Sequence, residues 1–226
     1  MSDFKYTRPD SFPPIVKNLI IINVLVFVAQ LTLNITDKIM LYPIQHEAFR
    51  PYQIATHMFA HAPNMFFHIV FNMFALWMFG RVLENVWGPQ RFLIFYFACG
   101  IGAAACHLAV QYFAWENMEA AFAAGNMAKA QSYAGSLGPA LGASGAVMGI
   151  FAAFAYLFPN TEMFIMFIPF PIKAKWAVLG LAAIDLFGGV ANVSGDNVAH
   201  FAHLGGAVTG FIIVLIWNKM NKKRFY

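Results

Sequence analysis

A chain of 226 residues, 60% hydrophobic and only 11% charged, with a mean hydropathy of +0.62, carries too little charge for a soluble globular domain. Its size fits one domain, and its long apolar runs make it a polytopic membrane protein. The formal charge of +4 sits in segments flanking those runs, with no basic patch interleaved with aromatics, so nucleic acid is excluded as a partner and the lipid bilayer is implied.

The first element, about 1–14, is a polar tail carrying Pro9, Pro13 and Pro14. No small-residue cleavage site follows the first apolar run, so the first span is expected to serve as an uncleaved anchor. Six spans are predicted at about 15–33, 65–83, 91–113, 140–158, 175–193 and 197–217. Each is close to the roughly 20 residues that a bilayer core requires. The fifth is the weakest, because Asp185 and three glycines interrupt it. A basic tail, 218–226, ends the chain.

Two loops are long. The first, 36–64, is rich in aromatics and histidines without strong helical periodicity; the second, 114–138, contains an Ala-rich stretch, 118–134, expected to form a short surface helix. The segment 159–171 holds three prolines and a six-residue apolar run, too short to span, and predicts an interfacial connector. Cys99 and Cys106 lie seven apart in one span and read as buried thiols, not as a disulfide framework.

Lysine and arginine give the orientation. With both termini cytoplasmic, the inner segments hold Lys5, Arg8, Lys17, Arg81, Arg91, Lys173, Lys175, Lys219, Lys222, Lys223 and Arg224, and the outer segments only Lys38, Arg50 and Lys129. That asymmetry is a positive-inside signal. The basic cluster 219–224 reads as a stop-transfer anchor.

In that topology spans two, four and six start at the outer face, and helical rise gives depth. Ser144 falls roughly 6 Å into span four, His203 roughly 9 Å into span six, and His68 and Asn72 roughly 5 and 10 Å into span two. Polar side chains in hydrocarbon are costly unless paired, and four from three helices fall in one layer. Span four carries Gly142, Gly145 and Gly149, and span six carries Gly206 and Gly210. Both hold a small-xxx-small pattern that lets two backbones approach closely.

A serine beside a histidine is the smallest set that activates an oxygen nucleophile. Backbone N–H groups at the helix start near Ser144, with His68 and Asn72, would supply oxyanion donors. No acidic third member is evident; Asp185 sits in the outer half of span five, so a two-residue device is expected. His200 is the nearest rival to His203. His57 and His61 stand at i and i+4, but no Glu follows His57 as a zinc hydrolase motif requires, so neither metal nor cofactor is expected. For His107, packing or a local hydrogen bond is the default.

With these residues in view, the chain resembles the rhomboid family of intramembrane serine proteases over about 15–217. The resemblance is carried by Tyr52-Gln53, Thr56-His57, Phe59 and His61, then His68-Ile69-Val70-Phe71-Asn72, then Gly80-Arg81, Glu84 and Gly88. Gly142-Ala143-Ser144-Gly145 follows, then Phe158-Pro159-Asn160, Pro169-Phe170-Pro171 and Lys173, and finally Ala202-His203-Leu204-Gly205-Gly206 with Gly210.

The resemblance implies an all-α bundle of six transmembrane helices around a water-filled cavity open to the outside. It implies Ser144 as nucleophile, His203 as general base, His68 and Asn72 at oxyanion positions, and Gly142 and Gly145 at a tight helix start. The first loop would dip into the outer leaflet, and span five would gate transmembrane protein substrates laterally. Many members place an aromatic four residues after the serine, stacked on the imidazole; here Met148 stands there, and weaker orientation of the ring is expected.

The expected function is hydrolysis of peptide bonds in or near transmembrane segments, and the expected location a bacterial cytoplasmic membrane. A catalytically silent rhomboid-like protein that captures membrane clients is the alternative, and a His-rich metal or haem membrane protein a second.

Overall fold

The computed structural model describes residues 9–164, 170–191 and 197–220. The expectations placed on Lys5, Arg8, Pro169, Lys222, Lys223 and Arg224 lie outside those residues.

The first helix, α1 (Pro14–Leu33), opens on a proline whose fixed φ suits the first helical turn. The Ile15 and Val16 N–H groups have no acceptor within the helix, and both donate to the buried Glu84 carboxylate, at 2.9 and 2.8 Å. One stripe of α1, Val16, Leu19, Asn23, Phe27 and Gln30, is buried, while Ile21, Leu25, Val28 and Leu31 face outward as lipid-contacting residues do.

The first long loop holds two single-turn helices, α2 (Thr36–Ile39) and α3 (Gln53–Thr56), and a 3₁₀ turn, His57–Phe59. Polar side chains stand in for the missing periodicity. Gln30 clamps the His61 backbone from both sides, accepting from its N–H and donating to its carbonyl, each at 2.9 Å. Leu41 and Ala140 exchange two backbone hydrogen bonds of 2.8 Å, which ties the loop to the segment leading into Ser144.

Next, α4 (Phe66–Ala75) runs through a π-helical turn, Leu76–Gly80, into α5 (Arg81–Trp87), forming one long rod. Gly88, with φ of +82°, ends it, and Pro89 starts α6 (Pro89–Ala123). The expectation of a span ending near residue 113 and a surface helix over 118–134 is corrected here. The stretch 114–123 holds only good or tolerated helix formers, so α6 continues to Ala123, 35 residues in all. Gly125, with φ of +70°, breaks it, and the surface helix is the shorter α7 (Met127–Ala134), N-capped by the Asn126 side chain.

The helix expected over 140–158 as the fourth span is shorter than predicted. This helix, α8 (Ser144–Leu157), begins at the serine itself and runs 14 residues. Gly142, with φ of +126°, breaks the chain before the helix, and Ala143 turns into it as its N-cap residue. The expectation that Ser144 lies four residues inside a helix is therefore corrected: it is the first helical residue.

The connector forms a two-residue hairpin, β1 (Glu162–Met163) against β2 (Ile172–Lys173), before α9 (Ala174–Ala191) and α10 (Asn197–Met220). Among the described residues, four helical stretches are long and apolar enough to cross a membrane: Pro14–Leu33, Phe66–Trp87, Pro89–Ala123 and His200–Met220. Ser144–Leu157 is a shorter apolar helix.

The interior is built around α8, of which Ala146, Ile150 and Ala153 are almost fully buried. Glycines let its neighbours close on it. A Cβ at Gly206 would run into the Gly145 carbonyl, and one at Gly210 would lie 2.6 Å from the Gly149 carbonyl. On the other side of α8, Gly145 meets Ala103 and Gly149 meets Cys99, both from α6. Thus α8 and α10 touch backbone to backbone, as their small-residue spacing predicts.

Candidate active site

The Ser144 hydroxyl lies 2.8 Å from His203 Nε2. The helix start positions the serine; the glycine seam between α8 and α10 positions the histidine. Both line a cavity of about 360 Å³ whose walls also include His57, His68, His107, Met65 and Ala103.

His68 enters from α4. Its Nε2 would lie 3.0 Å from a Cβ on Gly142, and the Ser144 hydroxyl 3.5 Å from the same point. The space between imidazole and hydroxyl is therefore open only because residue 142 has no side chain, and its positive φ also favours glycine. The Ala62 N–H donates to His68 Nδ1 over a long 3.4 Å, which leaves Nε2 as the protonated nitrogen facing the gap. The first-turn N–H groups of α8 have no acceptor within the helix and open on the same region.

Asn72, one turn further along α4, is buried and does not line the cavity. Its amide donates to the His68 carbonyl at 2.9 Å. His57 donates from Nδ1 to the Gln53 carbonyl at 3.0 Å, and its own carbonyl accepts the Gly142 N–H at 2.9 Å, so it helps hold the segment before the serine. Burial lowers the pKa of His57 to about 4. The His61 pKa is also lowered to about 4, by burial first and by neighbouring His68 second. The His61 and His68 rings meet edge to face, 5.1 Å between centroids. Among the described residues no three His, Cys, Asp or Glu side chains are placed to hold a metal ion.

The sequence predicts no acidic third member beside Ser144 and His203, and here the structure differs. Asp185 Oδ1 accepts from His203 Nδ1 at 3.1 Å and from His200 Nδ1 at 2.8 Å. The signal was legible: Asp185 lies six residues before the end of α9 and His203 six residues after the start of α10, each about 9 Å along its helix. Met148 packs not as an isolated ring partner but in a buried cluster with Ala152, Ala207 and Phe151. Cys99 and Cys106 are free thiols; Cys99 lies against Gly149 of α8 and Cys106 against Gly205 of α10.

These features define a class: helical membrane proteins in which a serine at a helix start and a histidine on a neighbouring helix share a part-buried, cavity-lining hydrogen bond. A family model described as the Rhomboid domain matches residues 48–219. The chain belongs to the rhomboid family. It is 31% identical over 147 residues to "Rhomboid protein 1, mitochondrial" of Saccharomyces cerevisiae, a match covering 65% of this chain and 37% of the yeast protein. It is 32% identical over 157 residues to "Presenilin-associated rhomboid-like protein, mitochondrial" of Homo sapiens, covering 67% of this chain and 36% of that protein. To "RHOMBOID-like protein 12, mitochondrial" of Arabidopsis thaliana it is 30% identical over 219 residues, covering 93% and 60% of the two chains. The chain thus spans little more than a third of the yeast and human relatives. The expected bacterial cytoplasmic membrane is overturned by these relatives, which are mitochondrial in yeast, animals and a plant.

Proposed function

We propose that the protein is an intramembrane serine endopeptidase. The observation that carries this reading is the 2.8 Å contact between Ser144 Oγ and His203 Nε2 on the wall of a cavity, in a chain of the rhomboid family. His203 Nε2 takes the hydroxyl proton as Ser144 Oγ attacks the scissile carbonyl carbon. The charge that develops on the carbonyl oxygen is met by His68 Nε2–H and by the free N–H groups at the start of α8, with Asn72 supporting His68 from behind. The intermediate collapses, the C–N bond breaks, and His203 returns its proton to the leaving amine. Water from the cavity then attacks the acyl-enzyme, with His203 again as base, and frees Ser144.

In this reading six helices cross the membrane: α1, the α4–α5 rod, α6, α8, α9 and α10. Both termini lie on the side that carries the basic segments. Residues 15–217 form the catalytic unit between the tails 1–14 and 218–226. Substrates are membrane proteins whose helices unwind readily at small residues, since a regular helix shields its carbonyls. A mitochondrial membrane is the proposed location, because the relatives above are mitochondrial.

The test is cleavage of a model transmembrane substrate by the purified, reconstituted protein, with Ser144→Ala alongside and a fluorophosphonate label as second readout. Cleavage and labelling by wild type only are expected. A wild-type protein that binds the substrate without cutting it, and takes no label, would favour a silent client-binding protein instead.

A further inference from the structure

We propose that Asp185 is the positioning residue for His203, holding the imidazole with its proton on Nδ1 and balancing the charge the ring acquires when Ser144 gives up its proton. This rests on the reading of Ser144 and His203 as nucleophile and base. The geometry supplies the chain of contacts: Ser144 Oγ to His203 Nε2 at 2.8 Å, then His203 Nδ1 to Asp185 Oδ1 at 3.1 Å.

A neutral imidazole carries one N–H, so a single acceptor on Nδ1 decides the tautomer. With the proton on Nδ1 donating to a carboxylate, Nε2 keeps the lone pair that must accept from the serine. With the proton on Nε2, the ring would be useless as a base toward Ser144. A carboxylate on Nδ1 also stabilises the imidazolium without taking its proton.

Three further observations fit this role. Asp185 does not line the cavity, so it acts through His203 and not on substrate. Its side chain is only 10% exposed, where water screens the interaction little. Finally, the carboxylate is itself held. His200, one helical turn before His203, donates to the same oxygen at 2.8 Å. The His200 ring packs against the α9 backbone where Gly188 leaves room for it: a Cβ there would lie 2.6 Å from His200 Nε2. Two imidazoles on one face of α10 thus converge on one oxygen of α9. The nearer fixes the carboxylate, and the farther is oriented by it. A charged acceptor on Nδ1 orients the His203 ring by a second, independent contact beside whatever packing Met148 supplies.

The experiment compares wild type, Ser144→Ala, Asp185→Asn and His200→Ala in one reconstituted cleavage assay with fluorophosphonate labelling rates. Asp185→Asn keeps the volume but offers an amide that can donate to Nδ1 and so favour the wrong tautomer. It should lower kcat by about tenfold or more, slow labelling in parallel and leave KM within about twofold. His200→Ala should lose less, since it removes only the support of the carboxylate. Wild-type kcat in a folded Asp185→Asn protein, or a change in KM alone, would overturn the proposal. Because Asp185→Asn could fail to fold, a second measurement uses wild type. ¹⁵N-histidine spectra, with His203 assigned by its loss in His203→Gln, should show the proton on Nδ1; a proton on Nε2 at neutral pH overturns the proposal. Wild type that neither cuts nor labels would instead remove the hydrolase reading, so the two failures are told apart.

Discussion

Gly206 of α10 rests directly on the carbonyl of Gly145 of α8, the residue that follows Ser144. The separation between the Ser144 and His203 side chains is thereby gauged by two backbones in contact. A side chain at residue 206 must push the helices apart. Gly206→Val should reduce cleavage on the order of a hundredfold, because a misplacement of about 1 Å costs that much. It should also lower the thermal midpoint, because the same seam contributes packing. Gly180→Ala on α9, where a Cβ meets nothing within 4 Å, is the control and should leave both unchanged. Normal turnover and stability in Gly206→Val would show that the seam does not set the distance.

Ser144→Ala should abolish fluorophosphonate labelling and cut turnover to background while the thermal midpoint stays near wild type, since it removes one part-buried hydroxyl on the cavity wall and leaves the helix start in place. Turnover assays on folded protein decide this. Residual cleavage near the wild-type rate would mean that another group is the nucleophile.

His68 and Asn72 should separate kinetically. His68→Ala removes a ring facing the space beside Ser144 and should lower kcat roughly a hundredfold. Asn72→Ala should cost less, because its amide bonds the His68 carbonyl and only steadies the turn. Steady-state kinetics of the two variants check the order. An Asn72 effect larger than that of His68 would place the Asn72 amide on the oxyanion once substrate is bound.

Glu84→Gln should lower stability by about 1–3 kcal/mol, since two N–H groups at the start of α1 lose a charged acceptor. Activity per folded molecule should hold, because α1 contributes nothing to the cavity wall. Thermal melts paired with active-site titration separate the two.

The pH dependence follows from His57 and His61, whose pKa values fall from the ordinary 6.5 to about 4 on folding. Between 6.5 and about 4 the unfolded chain binds protons on these groups that the folded chain refuses. Stability therefore falls as pH drops through that window, and the loss levels off below it. The thermal midpoint measured from pH 7 downward should show this slope, and His61→Phe should flatten part of it. A midpoint constant across the window would mean that these rings stay solvated.

Much of the arrangement could be read from the chain because depth in a helix is a matter of counting. The glycine spacing of α8 and α10 announced their contact, and the layer shared by His68, Ser144 and His203 followed from their distances to span ends. The count failed where an end was misjudged. Nothing in the composition of 114–123 marks an end to α6 near residue 113, since those residues are good or tolerated helix formers. The start of α8 moved to Ser144 because Gly142 takes a backbone angle that apolar patterning cannot reveal. Asp185 interrupts a weakly apolar span and so masks its own role, although the same counting applied to α9 brings it level with His203. The location was misread because the basic asymmetry marks sidedness and says nothing about which membrane.

The shortness of α8 has a consequence for water. At about 1.5 Å per residue its 14 residues cover about 21 Å, some 9 Å less than a hydrocarbon core of about 30 Å. In the proposed topology the missing length lies on the Ser144 side, where the cavity of about 360 Å³ is walled in part by the first-loop residues Leu41, His57, Ala62 and Met65. That volume holds on the order of ten waters at liquid density. In the proposed function the bilayer would thus be hollowed from one face down to Ser144, so that a reaction consuming water could proceed at membrane depth without any channel through the lipid.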